Sequence, residues 1–199
     1  MTVRYTRLQT ELGPMLIGYR DGKIIETSLE PDAARFVRDL TEQHDEPPEF
    51  ESAPPPAVPR TVAASVAGRH DLTEVDLSSL SAFRRRVLEA TAAIPIGEVR
   101  TYGEVLASIG SPGAARAVGT ALATNPLPIV VPCHRVVRAN GDLGNYSGPG
   151  GAGVEGALAQ VRGSHLAVRM PTRPATTKSG EAGSVDPGSL RICANGKRA

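Results

Sequence analysis

The chain has 199 residues, a hydrophobic fraction of 40%, an aromatic fraction of 4% and a formal net charge of +1. This is enough apolar sequence for one large or two small globular domains. No run of about 18 apolar residues is present, so we expect no membrane span. The first residues lack the apolar segment of a secretory signal, and Cys133 and Cys193 lie far apart, so we expect a cytoplasmic protein without a disulfide.

Charge is distributed unevenly along the chain. Residues 1–80 carry 8 Lys and Arg against 14 Asp and Glu, whereas residues 81–199 carry 14 against 7. A basic second part predicts that any contact with nucleic acid lies there. Solvated faces of mixed sign would give the same counts, so the asymmetry does not by itself establish DNA binding.

The first 80 residues predict a small sheet followed by two helices. Residues 3–29 favour two or three short strands, with Asp21-Gly22 as a hairpin turn. A helix is expected to begin at Pro31, with Asp32 in its first turn and apolar residues on one face. This helix is expected to end at residue 43. An exposed Pro-rich loop is predicted at 44–56 and a second helix at 58–67, which stops at Gly68. An extended connector is predicted at 70–80.

Three helices are predicted next, at 81–94, 101–109 and 112–124. Thr101 and Glu104 have the spacing of a capping box, and Ser111 can cap the third helix, which begins with proline. The last two helices, joined by a tight turn that contains glycine, predict a helix-turn-helix.

The third of these helices is built almost entirely from small residues. One interpretation is close packing inside a core. The other is entry into a nucleic-acid groove, in which Ala115, Ala117 and Gly119 let the backbone approach and Arg116 supplies charge and reach.

Cys133 is the candidate nucleophile. We expect residues 129–131 to form a short buried strand that leads into Pro132-Cys133-His134-Arg135. A lone cysteine after such a strand is usually part of the core. Here two cationic residue types follow it directly, and positive charge favours the reactive thiolate. Neighbours on an extended chain point apart, so pairing of Cys133 with His134 would need a bridging water or a kink.

The rest of the chain carries little chemistry. We predict a Gly-rich loop at 139–153, a last helix at about 154–161 and a disordered tail at 171–199. The glycines at 148–153 match a dinucleotide-binding pattern but follow a polar loop instead of a strand, so we discount them. The histidines do not combine with cysteine at metal-binding spacing, so we expect neither a metal nor a cofactor.

Three stretches together resemble the O6-alkylguanine-DNA alkyltransferases: GAARAVGTALATNPLPIVV at 113–131, PCHRVV at 132–137 and GNYSG at 144–148. The resemblance implies an α+β protein in which a small ribonuclease-H-like α/β domain, 1–80, precedes a mainly helical, winged-helix-like DNA-binding and catalytic domain, 81–170. It implies a monomer that binds the minor groove of double-stranded DNA and flips the damaged nucleotide out of the stack. The alkyl group of O6-alkylguanine, and of O4-alkylthymine, would pass irreversibly to the protein.

The resemblance also implies residue roles. Cys133 would accept the alkyl group, His134 would act as a base through water, and Asn125 would order the turn beside the cysteine. Arg116 would fill the gap left by the flipped base, and Tyr102 would contact the phosphate at the flipping site and donate to the purine. Arg135 would add a DNA contact. The pocket wall would consist of Tyr146, Ser147 and Gly148, with Ser147 donating to the guanine oxygen.

One position departs from the family pattern. The family carries a Glu in its last helix that orients the histidine, and the matching position here is Arg162, with Glu155 two turns earlier. Loss of the carboxylate predicts a less well oriented His134. Two other functions therefore stay open: a sensor that binds alkylated DNA without efficient transfer, and a cysteine hydrolase. Sensors related to this family lack the cysteine, which this chain keeps.

Overall fold

A computed structural model describes residues 2–29, 32–111 and 115–142, with the side chain of Ala115 left outside the description. The strands are β1 Arg4–Thr10, β2 Gly13–Arg20, β3 Lys23–Ser28, β4 Glu49–Phe50, β5 Arg100–Thr101 and β6 Val136–Val137. The α-helices are α1 Ala33–His44, α2 Ala57–Val66, α3 Ala82–Ala92, α4 Tyr102–Ser108 and α5 Ala115–Ala123. The expected α+β class is confirmed.

Four strands form a sheet in the order β3-β2-β1-β4. The three predicted strands are antiparallel, and Asp21 and Gly22 join β2 to β3 with positive φ angles of 51° and 77°, as a type I′ turn requires. The prediction that 44–56 is only a loop is wrong, because β4 lies within it and pairs in parallel with β1. Strand pairing is made by backbone groups, so the polar and proline-rich sequence around β4 gave no sign of it.

Strand β2, one of the two inner strands of the sheet, is buried on both faces. Met15 and Ile17 point into the main hydrophobic core, whereas Leu16 belongs to a smaller cluster with Phe36 and Leu40 of α1. The alternation follows from the two-residue period of a strand. Helix α1 therefore covers one face of the sheet, and the main core on the other face continues into the second half of the chain.

Helix α1 begins after Asp32, whose Oδ1 accepts from the backbone N of Arg35 at 3.0 Å. The expected start at Pro31 is therefore two residues too early, because Asp32 is the N-cap and the first helical residue is Ala33. The predicted helix at 58–67 is confirmed as α2. The predicted connector at 70–80 has no regular secondary structure at either end, and Val75 in its middle forms an isolated β-bridge with Ile24 of β3.

The helices of the second half are held together partly through their carboxyl ends. In α4 both hydrogen bonds of the predicted capping box are present. Two arginines of α3 donate to carbonyls just past the ends of the other helices: Arg84 to Thr124, the residue after α5, at 2.5 Å, and Arg86 to Ile109, the residue after α4, at 3.2 Å. Such donors satisfy carbonyls that have no partner within the helix.

Several predictions fall outside the described residues. They are the start of the third helix at Pro112, most of the Gly-rich loop at 139–153, the last helix at 154–161 and the tail at 171–199. The division at residue 80 stays a prediction, and the main hydrophobic core contains residues from both sides of it. Across the described ranges, we find no helix with the length and apolar character needed to span a bilayer.

Candidate active site around Cys133

Cys133 begins a 3₁₀ helix that covers Cys133–Arg135. The backbone N of Arg135 donates to the carbonyl of Pro132 at 2.9 Å, which closes this tight turn. Cys133 is 3% exposed and His134 7% exposed. The cysteine and the histidine therefore do not lie on an extended segment, and the turn supplies the kink that their pairing would need.

The segment that leads to the cysteine is a buried turn. The prediction of a strand at 129–131 is wrong, because residues 129 and 130 form a turn between bridged Pro128 and Val131. Ile129 has a φ of 73°, a left-handed conformation that a β-branched residue rarely adopts. Residues 129–131 are apolar and at most 1% exposed. A short buried apolar run has the same sequence pattern as a buried strand, which is why a strand was expected here.

Asn125 contacts the cysteine directly. Its Nδ2 lies 3.0 Å from Sγ of Cys133, and its Oδ1 accepts from the backbone N of Leu127 at 3.0 Å. The family resemblance implied that Asn125 orders the turn, and its bond to Leu127 has that geometry. The donor to sulfur was not anticipated, since eight residues separate the two side chains.

Two residues from the first 80 positions of the chain form hydrogen bonds with the segment that leads to Cys133. Thr27 of β3 donates from its backbone N to Pro126 O at 2.9 Å and from its hydroxyl to Pro128 O at 2.8 Å. The Nδ1 of His70 lies 3.0 Å from Val130 O. Sequence reasoning missed both residues, because neither belongs to a motif and each is at least 60 residues distant from its partner.

The prediction that Arg135 contacts DNA is wrong. Its side chain is 4% exposed, and its guanidinium donates to Ile94 O at 2.6 Å and to Gly68 O at 3.1 Å. Both carbonyls follow the ends of helices, α3 and α2. The buried charge is thus used to join these two helix ends to the turn that carries Cys133.

Helix α5 has one buried and one exposed side. Val118, Ala121 and Leu122 are buried, which agrees with the core-packing interpretation for that side. Arg116 is exposed, so it is available for a partner. Ala117 is half-buried.

Gly119, also half-buried, lies against Tyr102 at the start of α4, and a Cβ added there would be 3.9 Å from the Tyr102 ring. An added methyl group would therefore make only an ordinary van der Waals contact, and the packing of α4 against α5 does not require glycine at this position. Whether Ala115, Ala117 and Gly119 also face DNA stays a prediction.

The predicted pocket residues Tyr146, Ser147 and Gly148, and the departing position Arg162, lie outside the described residues. Among the described residues, no group of three His, Cys, Asp or Glu side chains could hold a metal ion.

Comparison with known proteins identifies the family. The profile for the DNA binding domain of 6-O-methylguanine DNA methyltransferase matches residues 82–162. The crystal structure of Mycobacterium tuberculosis O6-methylguanine methyltransferase has a TM-score of 0.66 and 32% identity, covering 82% of this chain and 94% of that one. The chain belongs to the O6-methylguanine methyltransferase family. This confirms the resemblance noted in the sequence.

Two further relatives in the methyltransferase family bear on function. The methylated-DNA–protein-cysteine methyltransferase of Mycolicibacterium paratuberculosis is 54% identical over 81 residues, which is 39% of this chain and 49% of that protein. The M. tuberculosis protein named OGT, solved in complex with DNA, has a TM-score of 0.64 at 32% identity, covering 82% of this chain and 94% of that one. The chain spans about half the length of the curated relatives it matches.

Proposed function

We propose that this protein repairs DNA by moving the alkyl group of O6-alkylguanine onto Sγ of Cys133, once per molecule. The observation that carries the proposal is the buried Cys133 thiol with a side-chain N–H donor, Asn125, 3.0 Å from its sulfur. A donor aimed at sulfur stabilises the negative charge of a thiolate. A thiolate is the soft, strong nucleophile that displacement at an alkyl carbon needs.

The reaction balances without a cofactor. The thiol proton passes through a water to His134, and the sulfur lone pair forms the S–C bond as the O6–C bond breaks. The electron pair of that bond leaves with the guanine, and a proton restores the normal base. The thioether has no further route to release, so each molecule acts once.

The same proposal assigns the other residues. Arg116, exposed on α5, would occupy the space of the flipped nucleotide in double-stranded DNA. Tyr102 would contact the phosphate at that site. Tyr146, Ser147 and Gly148 would line the pocket, with Ser147 donating to the guanine oxygen that gains charge in the transition state. O4-alkylthymine would be a second substrate.

The finer architecture is part of the proposal. A ribonuclease-H-like domain, 1–80, would precede a winged-helix-like catalytic domain, 81–170, and a tail, 171–199, in a monomer. The strand order β3-β2-β1-β4 with a parallel β4, and the succession of α4 and α5, support it.

The decisive experiment is mass spectrometry after reaction with duplex DNA that contains one O6-methylguanine. We expect one methyl group on Cys133 and one restored guanine per protein molecule. Cys133→Ser should show no transfer and retain DNA binding, because the thiol contacts no phosphate. Methyl transfer by Cys133→Ser, or repair of more lesions than there are protein molecules, would contradict the proposal.

The alternative is a sensor that binds alkylated DNA with weak or no transfer, and the observation in its favour is Arg162 at the family's Glu position. Under the repair proposal, Arg162→Glu should raise the single-turnover transfer rate by roughly 10–100-fold, the usual size of an orienting carboxylate. Tight binding with no methyl adduct in either protein would favour the sensor.

A further inference from the structure

Three carbonyl oxygens on the approach to Cys133 accept hydrogen bonds from the first 80 residues. Thr27 supplies the donors for Pro126 O and Pro128 O, and His70 faces Val130 O at 3.0 Å. A carbonyl can only accept, so Nδ1 of His70 carries the proton, which fixes its tautomer. The imidazole is therefore a directed donor to the turn three residues before the cysteine.

The turn that His70 contacts is strained. Ile129 has its φ at 73°, and its side chain is 1% exposed. A β-branched residue keeps a left-handed conformation only where the surrounding structure holds it there. The bond from His70 is made to the next residue along the chain, and so it opposes relaxation of this turn.

Residues 68–70, which include His70, also contact the chain after Cys133. Gly68 ends α2 with a φ of 88°, its N donates to Ser65 O and the N of Arg69 donates to Ala64 O, which together form a Schellman cap. The carbonyl of Gly68 accepts from Arg135 at 3.1 Å. Residues 68–70 thus contact Val130 on one side of Cys133 and Arg135 on the other.

We propose that His70 is a positioning residue for alkyl transfer: its Nδ1–H holds the strained turn at Ile129-Val130 so that the Cys133 sulfur stays within reach of Asn125. The inference rests on the proposed function. His70 touches neither substrate nor sulfur and acts through the backbone of the turn. Misplacement of a reacting atom by about 1 Å can cost on the order of 100-fold in rate, so a partial displacement is expected to cost about tenfold.

The test compares His70→Leu, which removes the donor, with His70→Asn, whose Nδ2 can take the place of Nδ1. Single-turnover methyl transfer to the protein is measured over a range of O6-methylguanine duplex concentrations. We expect His70→Leu to lower the limiting rate about tenfold, with the half-saturating DNA concentration changed less than about twofold, and His70→Asn to recover most of the rate. His44→Leu, which removes a half-buried imidazole from α1, is the matched control and should react like the wild type.

Two results would overturn the inference: wild-type limiting rates in His70→Leu, or equal slowing in the Leu and Asn variants. If His70→Leu does not fold, His70→Gln replaces it. The amide of Gln lies one carbon further from the backbone than that of Asn, so its NH₂ group does not occupy the position of Nδ1. Equal rates for the Gln and Asn variants would then count against a positioning role.

A spectroscopic readout separates this inference from the proposed function. The side-chain amide resonance of Asn125 reports its contact with sulfur and is measured by ¹⁵N–¹H NMR without DNA. It should shift in the variant that lacks the donor and stay in place in His70→Asn. An unshifted resonance would refute the role of His70 whatever the transfer activity, whereas a wild type that forms no methyl adduct would refute the proposed function alone.

Discussion

The side chain of Asn125 faces Cys133 with its NH₂ group and not with its oxygen. The reason is that the backbone N of Leu127 lies 3.0 Å from Oδ1 and can only donate, which leaves Nδ2 directed at Sγ, also at 3.0 Å. A backbone turn therefore determines which atom of the amide the sulfur meets. The arrangement couples the local conformation after α5 to the electrostatics of the nucleophile.

Asn125→Asp should slow methyl transfer strongly while leaving the turn intact. The aspartate can still accept from Leu127, but its second oxygen would place negative charge beside the sulfur and oppose the thiolate. Removal of one donor from a reacting charge commonly costs about 100-fold, and we expect a loss of that order in single-turnover transfer. Asn140→Asp makes the same change at an exposed site and is the control. Equal rates in the two variants would show that the contact with sulfur is not used.

Arg116→Ala should affect duplex DNA far more than the free base. Flipping a nucleotide costs a few kcal/mol, and an exposed arginine that replaces it in the stack would offset part of that cost. We expect transfer from duplex O6-methylguanine to slow by about 10–100-fold, while reaction with the free base is unchanged. Arg85→Ala, on an exposed position of α3, controls for the loss of one positive charge. If both substrates react more slowly to the same degree, Arg116 does not act in flipping.

Arg135→Met should destabilise the protein without a direct effect on DNA contacts. The change leaves Ile94 O and Gly68 O without the buried guanidinium that now donates to them. Each unsatisfied buried group costs about 1–3 kcal/mol, so the loss of donors to these two carbonyls should lower the free energy of unfolding in urea by roughly 2–6 kcal/mol. Arg85→Met should change it by less than about 0.5 kcal/mol. A reduced salt dependence of DNA binding in folded Arg135→Met would instead indicate a phosphate contact.

Glu26 should make stability depend on pH. Burial, with a smaller contribution from Asp39, raises the pKa of Glu26 from 4.5 to about 7, although the hydrogen bond from Gln43 acts in the opposite direction. Because the folded-state pKa is the higher one, the stabilising contribution is present below pH 4.5 and is lost as the pH rises through 7.

Glu26→Gln should therefore be more stable than the wild type at pH 8, by on the order of 2 kcal/mol, with the difference vanishing towards pH 4. Urea unfolding at several pH values across this range measures the difference in stability, and Glu89→Gln, at an exposed position of α3, controls for the loss of a carboxylate. A difference that does not change with pH would contradict the raised pKa.

Local signals in the sequence predicted much of the fold. Asp21-Gly22 favours the left-handed angles of a hairpin turn, and Thr101 with Glu104 can satisfy two helix donors within a single turn, so both features follow from neighbouring residues. The cysteine was found in the same way, because its neighbours are unusual for a core position. The family resemblance added Asn125, whose ordering bond to Leu127 spans two residues.

The features that sequence reasoning missed depend on distant partners. The strand β4 exists because β1 offers it a backbone edge. Residues 129 and 130 form a turn in place of the expected strand, with His70 bound to Val130 O and Thr27 bound to the carbonyls of Pro126 and Pro128 just before it. Arg135 has the charge of a DNA contact, but two helix-end carbonyls, 41 and 67 residues away, hold it inside the protein.

The sequence alone therefore determined which residue types are available for chemistry and which short turns and caps they form, because those depend on neighbours within a few positions. Only the tertiary structure decided which charge is buried, which turn is strained and which side chain meets the sulfur of Cys133. Hydrogen bonds between segments far apart in the chain form only when packing brings their donors and acceptors together, and no local pattern encodes that meeting.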